Sequence, residues 1–572
     1  MQRLAGLAVL GVLLVASGLP AAASDSWPQP RVSVYTADWQ AAQAALPIIP
    51  LSGSAADPWS AANALAREHF PAIARSPVPV LLPYAIGDDA HDRATDNVNP
   101  VTSYLSGFEP TRFFHAGPTG YDAGFILRPA DIPGLSDIDY KNPIVVQISA
   151  FNLLYELPEP RGAVVLPAGD IARDFPGIRR QILEHTLRYT FERFGIPYAV
   201  SIQCYDGPQR RTRLSCRNAD RIALRFLSAL RVVGGNRIAA EPTPAPAPVT
   251  RPEIQSEVFR YHPPGKLVAG TGMRASSGNS DRTVYARLRF PAAAAPAYIQ
   301  TQAFRRRTGP VVASSPTSPD DGQRSEARPY IWRDNFCERR DFAVGQCPSG
   351  RGHQGQDIRG VSCEPGPRKR DCPANQDVVV AARDGMILRE SWHDSFFLVV
   401  NANGERLRLR HLHMHPRRLD DDGIFSGLIV TEGQRLGTIG NYNRRPGLTT
   451  THLHFEMQVP TRDGYVRVNP YMTLVAAYEH LIGARGQEEA PPATQTDEEA
   501  SAAETAASPG GETPVPAAVI RTSAAKSVGA ENTSRIKSHR EKARGKAKRK
   551  SRGVGKISAR ARLAKASKRK SR

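Results

Sequence analysis

The stretch Gly352-His353-Gln354-Gly355-Gln356-Asp357 opens a histidine-rich segment, and Thr451-His452-Leu453-His454-Phe455-Glu456 closes it. A third group, His411-Leu412-His413-Met414-His415, lies between them. In the closing stretch polar and apolar residues alternate, which is the period of a β-strand with one buried face. Its two histidines therefore share one face of the strand, while its leucine and phenylalanine point to the core. The segment predicts strands that carry imidazole groups toward one cavity.

These residue types suit a hydrolytic metal site. Zinc prefers imidazole nitrogen and carboxylate oxygen, and such a site has three protein ligands with a fourth position left for water. His353, Asp357 and one histidine of the His452/His454 pair supply that number of ligands. The other histidine of the pair is then free for proton transfer. Gly355 lets the chain turn, so that His353 and Asp357 converge on one point.

Spacing alone leaves the choice among the histidines open. Strand alternation makes His411, His413 and His415 co-facial, so any of them competes as a ligand or a proton carrier. A single H-x-x-x-D or a single H-x-H pattern also occurs in ordinary half-buried strands. The three groups together favour a metal site.

The order of these motifs resembles that of the lysostaphin/LytM-type zinc metallopeptidases over about residues 326–480. The matching segments are His353 to Asp357, His411-Leu412-His413-Met414, Gly433-Gln434-Arg435-Leu436-Gly437-Thr438-Ile439-Gly440, His452 to Glu456, and the short following segment Val468-Asn469-Pro470. Two features depart from the family pattern. His411 stands where the family has a tyrosine, and a cysteine-bounded insertion, Cys363 to Cys372, follows Asp357.

The resemblance implies a mainly antiparallel β catalytic domain of the duplicated hybrid motif type. It implies that His353, Asp357 and His454 hold one zinc ion, and that His413 and His452 are catalytic. It also implies an endopeptidase that hydrolyses peptide cross-links of bacterial peptidoglycan. Two alternatives are a non-catalytic envelope protein of the same fold that binds wall and activates an amidase, and a metalloprotease of a non-wall substrate.

The first residues have the pattern of a secretory signal peptide. Arg3 supplies the positive charge, Leu4 to Leu14 is apolar, and Ala21-Ala22-Ala23 is a small-residue cleavage site. The mature protein is therefore expected to be periplasmic or extracellular, without a transmembrane span. The six cysteines suit an oxidising compartment, where pairing of sequence neighbours would form three short loops.

Composition divides the rest of the chain. We predict an N-terminal α+β or α/β-like domain at 25–238, a proline-rich linker at 239–255, a β-hairpin and loop region at 256–325, the zinc metallopeptidase domain at 326–482, and a disordered tail at 483–572. In the N-terminal domain, helices are expected over residues 179–194 and 218–230. The hairpin arms are expected at residues 283–290 and 297–304. The fold class is α+β overall.

The net charge of +20 belongs mostly to the tail, whose acidic first part precedes a basic one. Residues 535–572 contain eighteen lysines and arginines and one acidic residue, so they carry +17 and the remainder +3. Such a tail binds polyanions without sequence specificity. In an exported protein the expected partners are anionic envelope polymers or a lipid surface rather than nucleic acid.

Overall fold

The computed structural model of the chain describes residues 26–47, 57–86, 104–138, 140, 142–206, 213–238, 246–253, 259–267, 278–300, 305–306, 309–310, 331–362, 372–390, 394–402 and 404–489. All of these belong to one compact unit, residues 1–494. The predicted signal peptide and the basic tail lie outside the described residues. Within the described ranges, no helix combines the length and apolar character needed to cross a bilayer.

Strands dominate the first half of the described chain, with four helices between them. The strands are β1 (Val32–Val34), β2 (Val80–Leu82), β3 (Glu109–Gly117), β4 (Gly120–Leu127), β5 (Ile144–Phe151), β6 (Leu153–Tyr155), β7 (Val164–Leu166), β8 (Arg179–Leu183), β9 (Thr186–Arg193), β10 (Ile196–Gln203) and β11 (Arg231–Gly234). The helices are α1 (Trp39–Ala44), α2 (Pro58–Ala66), α3 (Ile171–Asp174) and α4 (Cys216–Ser228).

Seven of these strands form a sheet in the order β3-β4-β5-β10-β9-β8-β7, with every pairing antiparallel. Helix α4, expected from the sequence, packs against β9 and β10. Its first turn is capped by Ser215, whose side chain accepts a hydrogen bond from the Asn218 backbone N–H. The α+β prediction is confirmed. The α/β-like alternative is wrong, because that class needs parallel strands joined by helices.

The predicted helix over residues 179–194 is also wrong, because β8 and β9 form a hairpin there. Its two-residue turn, Glu184-His185, has φ angles of +55° and +59°, the geometry that matches the twist of paired strands. Leu187, Tyr189 and Phe191, at a spacing of two, are buried in the hydrophobic core that the seven-stranded sheet shares with α2 and α4, the first core. Since such a run also satisfies part of a helical pattern, and the turn lacks glycine or asparagine, the sequence favoured the wrong period.

The second half of the chain adds the remaining elements. The strands are β12 (Arg260–Tyr261), β13 (Tyr298–Ile299), β14 (Arg305–Arg306), β15 (Gly309–Pro310), β16 (Gln356–Arg359), β17 (Val378–Val380), β18 (Gly385–Arg389), β19 (Phe396–Ala402), β20 (Glu405–Leu412), β21 (Ile429–Val430), β22 (Arg435–Thr438), β23 (Leu453–Thr461), β24 (Gly464–Val468) and β25 (Gln487–Glu488). The helices are α5 (Pro416–Asp421) and α6 (Tyr471–Ile482).

These strands build the predicted antiparallel sheet, in the order β13-β16-β23-β20-β19-β18-β21, with β24 paired to β23. The hairpin expected at 283–290 and 297–304 is not formed as predicted. Residues 283–290 make no strand, because their backbone bonds go to separate partners, such as Arg289 N–H to the Ala382 carbonyl at 2.9 Å. Of the second arm, β13 pairs with β16, and residues 301–304 lie outside the described residues.

Strands β20 and β23 have two unlike faces, both covered. One face contributes Leu407, Leu409, Phe455, Met457 and Val459 to the second core, beside the buried helix α6. The other face is polar, carries Arg406, Arg408, Arg410, His454 and Glu456, and packs against strands of the first sheet through ion pairs and hydrogen bonds. Arg406 is fully buried, as is its partner Asp122 on β4, with Nη2 2.7 Å from the Asp122 carboxylate.

Two of the disulfides expected from neighbour pairing are present. Cys204 bonds Cys216 across the approach to α4, and Cys337 bonds Cys347 just before His353. The third expected pair includes Cys363, which lies outside the described residues.

Candidate metal centre

His353, Asp357 and His454 meet in one buried cluster. Asp357 lies on β16 and His454 on β23, and the two residues are direct partners across the antiparallel pair. Direct partners project their side chains on the same face of a sheet. His353 comes just before β16, and one ligand atom from each of the three lies within 4.8 Å of the others. The three residues predicted as metal ligands are thus brought together.

The separations within this cluster fit zinc. The Asp357 Oδ1 atom lies 3.3 Å from His353 Nε2 and 3.2 Å from His454 Nδ1. Ligand atoms at the corners of a zinc tetrahedron with bonds of about 2.0–2.1 Å are ~3.3 Å apart. His353 Nε2 is buried and has no hydrogen-bond partner in the part of the chain that the structure describes. Buried polar atoms normally have a bonding partner, and a cation bound at this point would be the partner of Nε2.

The backbone fixes which nitrogen of three histidines faces the cluster. His353 Nδ1 lies 2.9 Å from the Asn335 carbonyl, His413 Nδ1 lies 2.8 Å from the Tyr442 carbonyl, and His452 Nδ1 lies 2.8 Å from the Thr450 carbonyl. A carbonyl oxygen only accepts, so each Nδ1 carries the proton. In the neutral ring each Nε2 is then the unprotonated nitrogen, which can bind a metal or accept a proton.

His413 and His452 lie beside the ligand cluster. Their rings are 4.7 Å apart between centroids, and His413 is 6.1 Å from the ring of His454. His452 Nε2 is 3.3 Å from Asp357 Oδ1, so both histidines of the H-x-H pair point toward Asp357, as alternation predicts. Burial lowers the pKa of His413 to about 4 and lowers that of His452 well below its ordinary value. Both imidazoles are therefore neutral near pH 7.

The cluster favours positive charge at His454. Burial opposes protonation of His454, yet hydrogen bonds to Asp357 and Glu456 raise its pKa. A position that stabilises a proton between two carboxylates also stabilises a bound cation.

Glu456 orients His454 from behind, a role that the sequence reasoning did not assign to it. Its Oε1 atom lies 3.2 Å from His454 Nε2, so that nitrogen donates to the carboxylate and Nδ1 is left for a metal. Arg410 and Arg467 bind Glu456 at 2.7 Å each. Strand alternation offered a signal, because Glu456 lies two residues after His454 on the same face. No sequence pattern indicated that Arg467 would bind Glu456.

A buried polar network supports His353. Asp334 accepts hydrogen bonds from Gln356 at 2.6 Å and from Asn469 at 2.7 Å, and Gln356 also bonds to the Asn469 amide oxygen at 3.0 Å. The neighbouring Asn335 accepts a bond from the Asp357 backbone N–H at 3.1 Å. These contacts give the Val468-Asn469-Pro470 segment a structural reason, since Asn469 holds the loop whose carbonyl fixes the His353 tautomer.

His411 and His415 do not join the cluster, so the expected co-facial arrangement is wrong. Strand β20 ends at Leu412, and His413 has a φ of +72°, which breaks the alternation. His411 is opposite Phe455, on the core face, and stacks on Phe396 with ring centroids 4.7 Å apart. His415 precedes α5 and packs against Tyr442.

His411→Phe should make the protein less sensitive to acid. Burial lowers the pKa of His411 to about 3, so below pH ~6.5 the unfolded chain binds a proton that the folded chain excludes. The free energy of unfolding therefore falls as pH decreases from that point. Phenylalanine keeps the stacking, so we expect little change at pH 8 and a gain of about 2 kcal/mol at pH 5. Denaturant titrations at both pH values measure this, and an equal difference at the two would contradict it.

The Cys337–Cys347 loop anchors His353 on its other side. The Cys337 N–H donates to the His353 carbonyl at 3.0 Å, and the His353 N–H donates to the Glu338 carbonyl at 2.8 Å. The disulfide therefore braces the backbone that presents a candidate ligand.

Replacing both cysteines by serine, in Cys337→Ser/Cys347→Ser, should weaken zinc binding as well as stability. Opening a loop of this length costs about 2.5–3 kcal/mol, and loosening the support of a ligand lowers metal affinity roughly tenfold. The matched control is Cys204→Ser/Cys216→Ser, which opens a loop of similar length at the approach to α4. Zinc titration and thermal unfolding separate the two effects. Equal zinc affinities of the two double variants would show that the disulfide does not support His353.

Comparisons with known proteins add little to this geometry. No family model matches the chain, and no curated protein matches it. Among solved structures, the chain is similar to a crystal structure from Ruminococcus gnavus that is described as a glycyl-glycine endopeptidase LytM. The identity is 21%, the TM-score is 0.18, and the match covers 24% of this chain and 49% of that one.

Proposed function

We propose that the protein is an exported zinc-dependent endopeptidase that hydrolyses peptide cross-links of bacterial peptidoglycan. The observation that carries the proposal is the meeting of His353, Asp357 and His454 within 4.8 Å. Two further histidines lie beside them with fixed tautomers. The wall as substrate is supported by the order of the sequence motifs, by the signal-like first residues and by the disulfides.

His353 Nε2, Asp357 and His454 Nδ1 would hold the zinc ion in this proposal. A zinc ion there would act as a Lewis acid that polarises the scissile carbonyl and activates a water molecule. The neutral Nε2 of either His413 or His452 would accept the one proton that the attacking water loses. That imidazole, once protonated, would donate a hydrogen bond to the developing oxyanion and then its proton to the leaving amine.

We also propose a location and a partner for the parts outside the described residues. The signal-like segment would direct export, and the basic tail would hold the enzyme near anionic envelope polymers or a lipid surface. Binding of that kind is electrostatic and weakens as salt increases.

His413→Ala and His452→Ala should each bind zinc but cleave wall slowly. Positioned acid–base groups contribute about 10²–10⁴-fold to a rate, so we expect losses in that range. The measurement is release of new amino groups from purified peptidoglycan, with zinc content determined on the same samples. A chelator should abolish release by the wild type, and added zinc should restore it.

Other outcomes would overturn the proposal. A wild-type protein that binds zinc yet releases amines from a casein-like polypeptide and none from wall would be a protease of another substrate. A protein that leaves wall intact alone, but increases digestion by an added amidase, would be an activator. Full activity of both histidine variants would remove His413 and His452 from the reaction.

A further inference from the structure

A chain of alternating charges joins the metal cluster to the first sheet. Glu456 bonds His454 at 3.2 Å, Arg467 Nε bonds Glu456 at 2.7 Å, and Arg467 Nη1 bonds Glu184 at 2.8 Å. Glu184 belongs to the β8–β9 hairpin, far from the metal cluster in sequence. All four residues are buried, so water screens these interactions little.

The backbone at Glu184 has an unusual conformation. Its φ is +55°, a region that favours glycine or asparagine in such turns, yet the chain has a glutamate here. Residues in such conformations persist where the surrounding contacts hold them in place. The Glu184 carboxylate is enclosed by Arg467 and Arg188, whose Nη2 is 3.6 Å away.

Glu184 also reaches the other half of the cluster. Its Oε1 atom accepts a hydrogen bond from the Gly345 backbone N–H at 3.4 Å. Gly345 lies in the Cys337–Cys347 loop, which holds the backbone of His353. One carboxylate of the first sheet therefore touches the supports of both candidate histidine ligands.

We infer that Glu184 is a positioning residue for the metal centre, acting through Arg467 and Glu456 on His454. This inference rests on the proposed metal centre. By fixing Arg467, Glu184 fixes the Glu456 carboxylate, which accepts the hydrogen bond from His454 Nε2. The orientation of the His454 ring, and therefore the direction of Nδ1, is fixed with it. The first sheet is thus part of the metal-binding apparatus, although it contributes no ligand. Partners behind a ligand typically change metal affinity 10–100-fold, and one step further back we expect about tenfold.

The test compares two carboxylate-to-amide changes in the full mature chain. Glu184→Gln removes the charge that fixes Arg467. Asp463→Asn is the matched control. Asp463 is buried in the β23–β24 turn, and its carboxylate lies 2.7 Å from Arg179 of the β8–β9 hairpin, the hairpin that also contains Glu184. Zinc affinity is measured by competition with a chromogenic chelator, and folding by thermal unfolding without zinc. We expect about tenfold weaker zinc binding for Glu184→Gln and less than twofold for Asp463→Asn.

A second comparison separates positioning from general loosening. If Glu184 acts through Glu456, then Glu184→Gln has no further effect on zinc affinity in a Glu456→Gln background. Additive losses, or an equal loss in Asp463→Asn, would overturn the inference. Glu184→Asp keeps the charge and serves if Glu184→Gln does not fold; it should bind zinc more tightly than Glu184→Ala.

The outcomes for the two proposals differ. If Glu184→Gln binds zinc as tightly as the wild type does, the positioning role of Glu184 is overturned and the endopeptidase proposal is unaffected. Zinc binding that depends on Glu184 in a protein that does not digest wall overturns the substrate and supports the positioning role. Absence of zinc binding by the wild type overturns both.

Discussion

Asp122→Ala should lower the free energy of unfolding by about 3–5 kcal/mol, because it leaves two buried arginines without their shared counterion. Asp122 is fully buried and binds Arg406 Nη2 at 2.7 Å and Arg408 Nη2 at 2.8 Å. It also accepts a hydrogen bond from Ser149 at 2.6 Å. Arg406 retains bonds to backbone carbonyls of residues 119 and 121, but these carry no full charge.

The control for this prediction is an ion pair at the surface. Asp137 binds Arg221 at 2.7 Å, and its side chain is 67% exposed. Exposed pairs contribute little, so Asp137→Ala should unfold at the same denaturant concentration as the wild type. Equal stability of Asp122→Ala and the wild type would show that the two sheets are not held together by this buried pair.

The same pair gives the protein a defined acid sensitivity. Burial opposes ionisation of Asp122, but Arg406 and Arg408 outweigh it and keep the pKa of the carboxyl below its ordinary value. The resulting stability is fully present above the unfolded-state pKa of about 4 and is lost as pH falls through the lower folded-state pKa. Asp122→Asn lacks this contribution at every pH, so the difference from the wild type should shrink as the solution is acidified below pH ~4.

His353→Ala should abolish stabilisation by zinc. A ligand that binds only the folded state at about 100 times its Kd raises the free energy of unfolding by about 2.7 kcal/mol. The wild type should show that gain, measured as a higher Tm with zinc than with chelator. Without the His353 Nε2 donor only two of the three predicted ligands remain, and we expect no gain at the same zinc concentration.

His411→Phe is the matched control for this prediction. It also removes a buried histidine from the half of the chain that contains the metal cluster, but that histidine faces the second core. We expect it to keep the full zinc-dependent gain in Tm. If His353→Ala kept the gain and His411→Phe lost it, His411 rather than His353 would be a zinc ligand.

Period-two alternation made the second sheet predictable from sequence. Strand β23 contains most of the alternating stretch around His454, and the three predicted ligands meet because β16 and β23 are antiparallel neighbours. Alternation could not predict that the polar face of β20 and β23 is buried against the first sheet. The run Arg406-Leu407-Arg408-Leu409-Arg410 reads as a strand with one face in water, since charged residues are rarely buried without partners.

The partners of that face come from far away in the sequence. Asp122 and Glu184 lie more than two hundred residues before Arg406 and Arg467, and no local pattern links them. Arg467 lies on the next strand, β24, and nothing in the sequence marks it as a partner of Glu456, so its support of His454 through Glu456 was not predicted. The β8–β9 hairpin was mistaken for a helix because its turn consists of Glu184 and His185 instead of glycine or asparagine.

The most direct test of the account is the zinc content and wall-digesting activity of the purified mature protein beside His454→Ala. We expect about one zinc per chain in the wild type and release of cross-link products from peptidoglycan, with neither in the variant. Zinc bound equally by both proteins would contradict the ligand cluster. A wild type without zinc would contradict the central claim that His353, Asp357 and His454 form a catalytic metal centre.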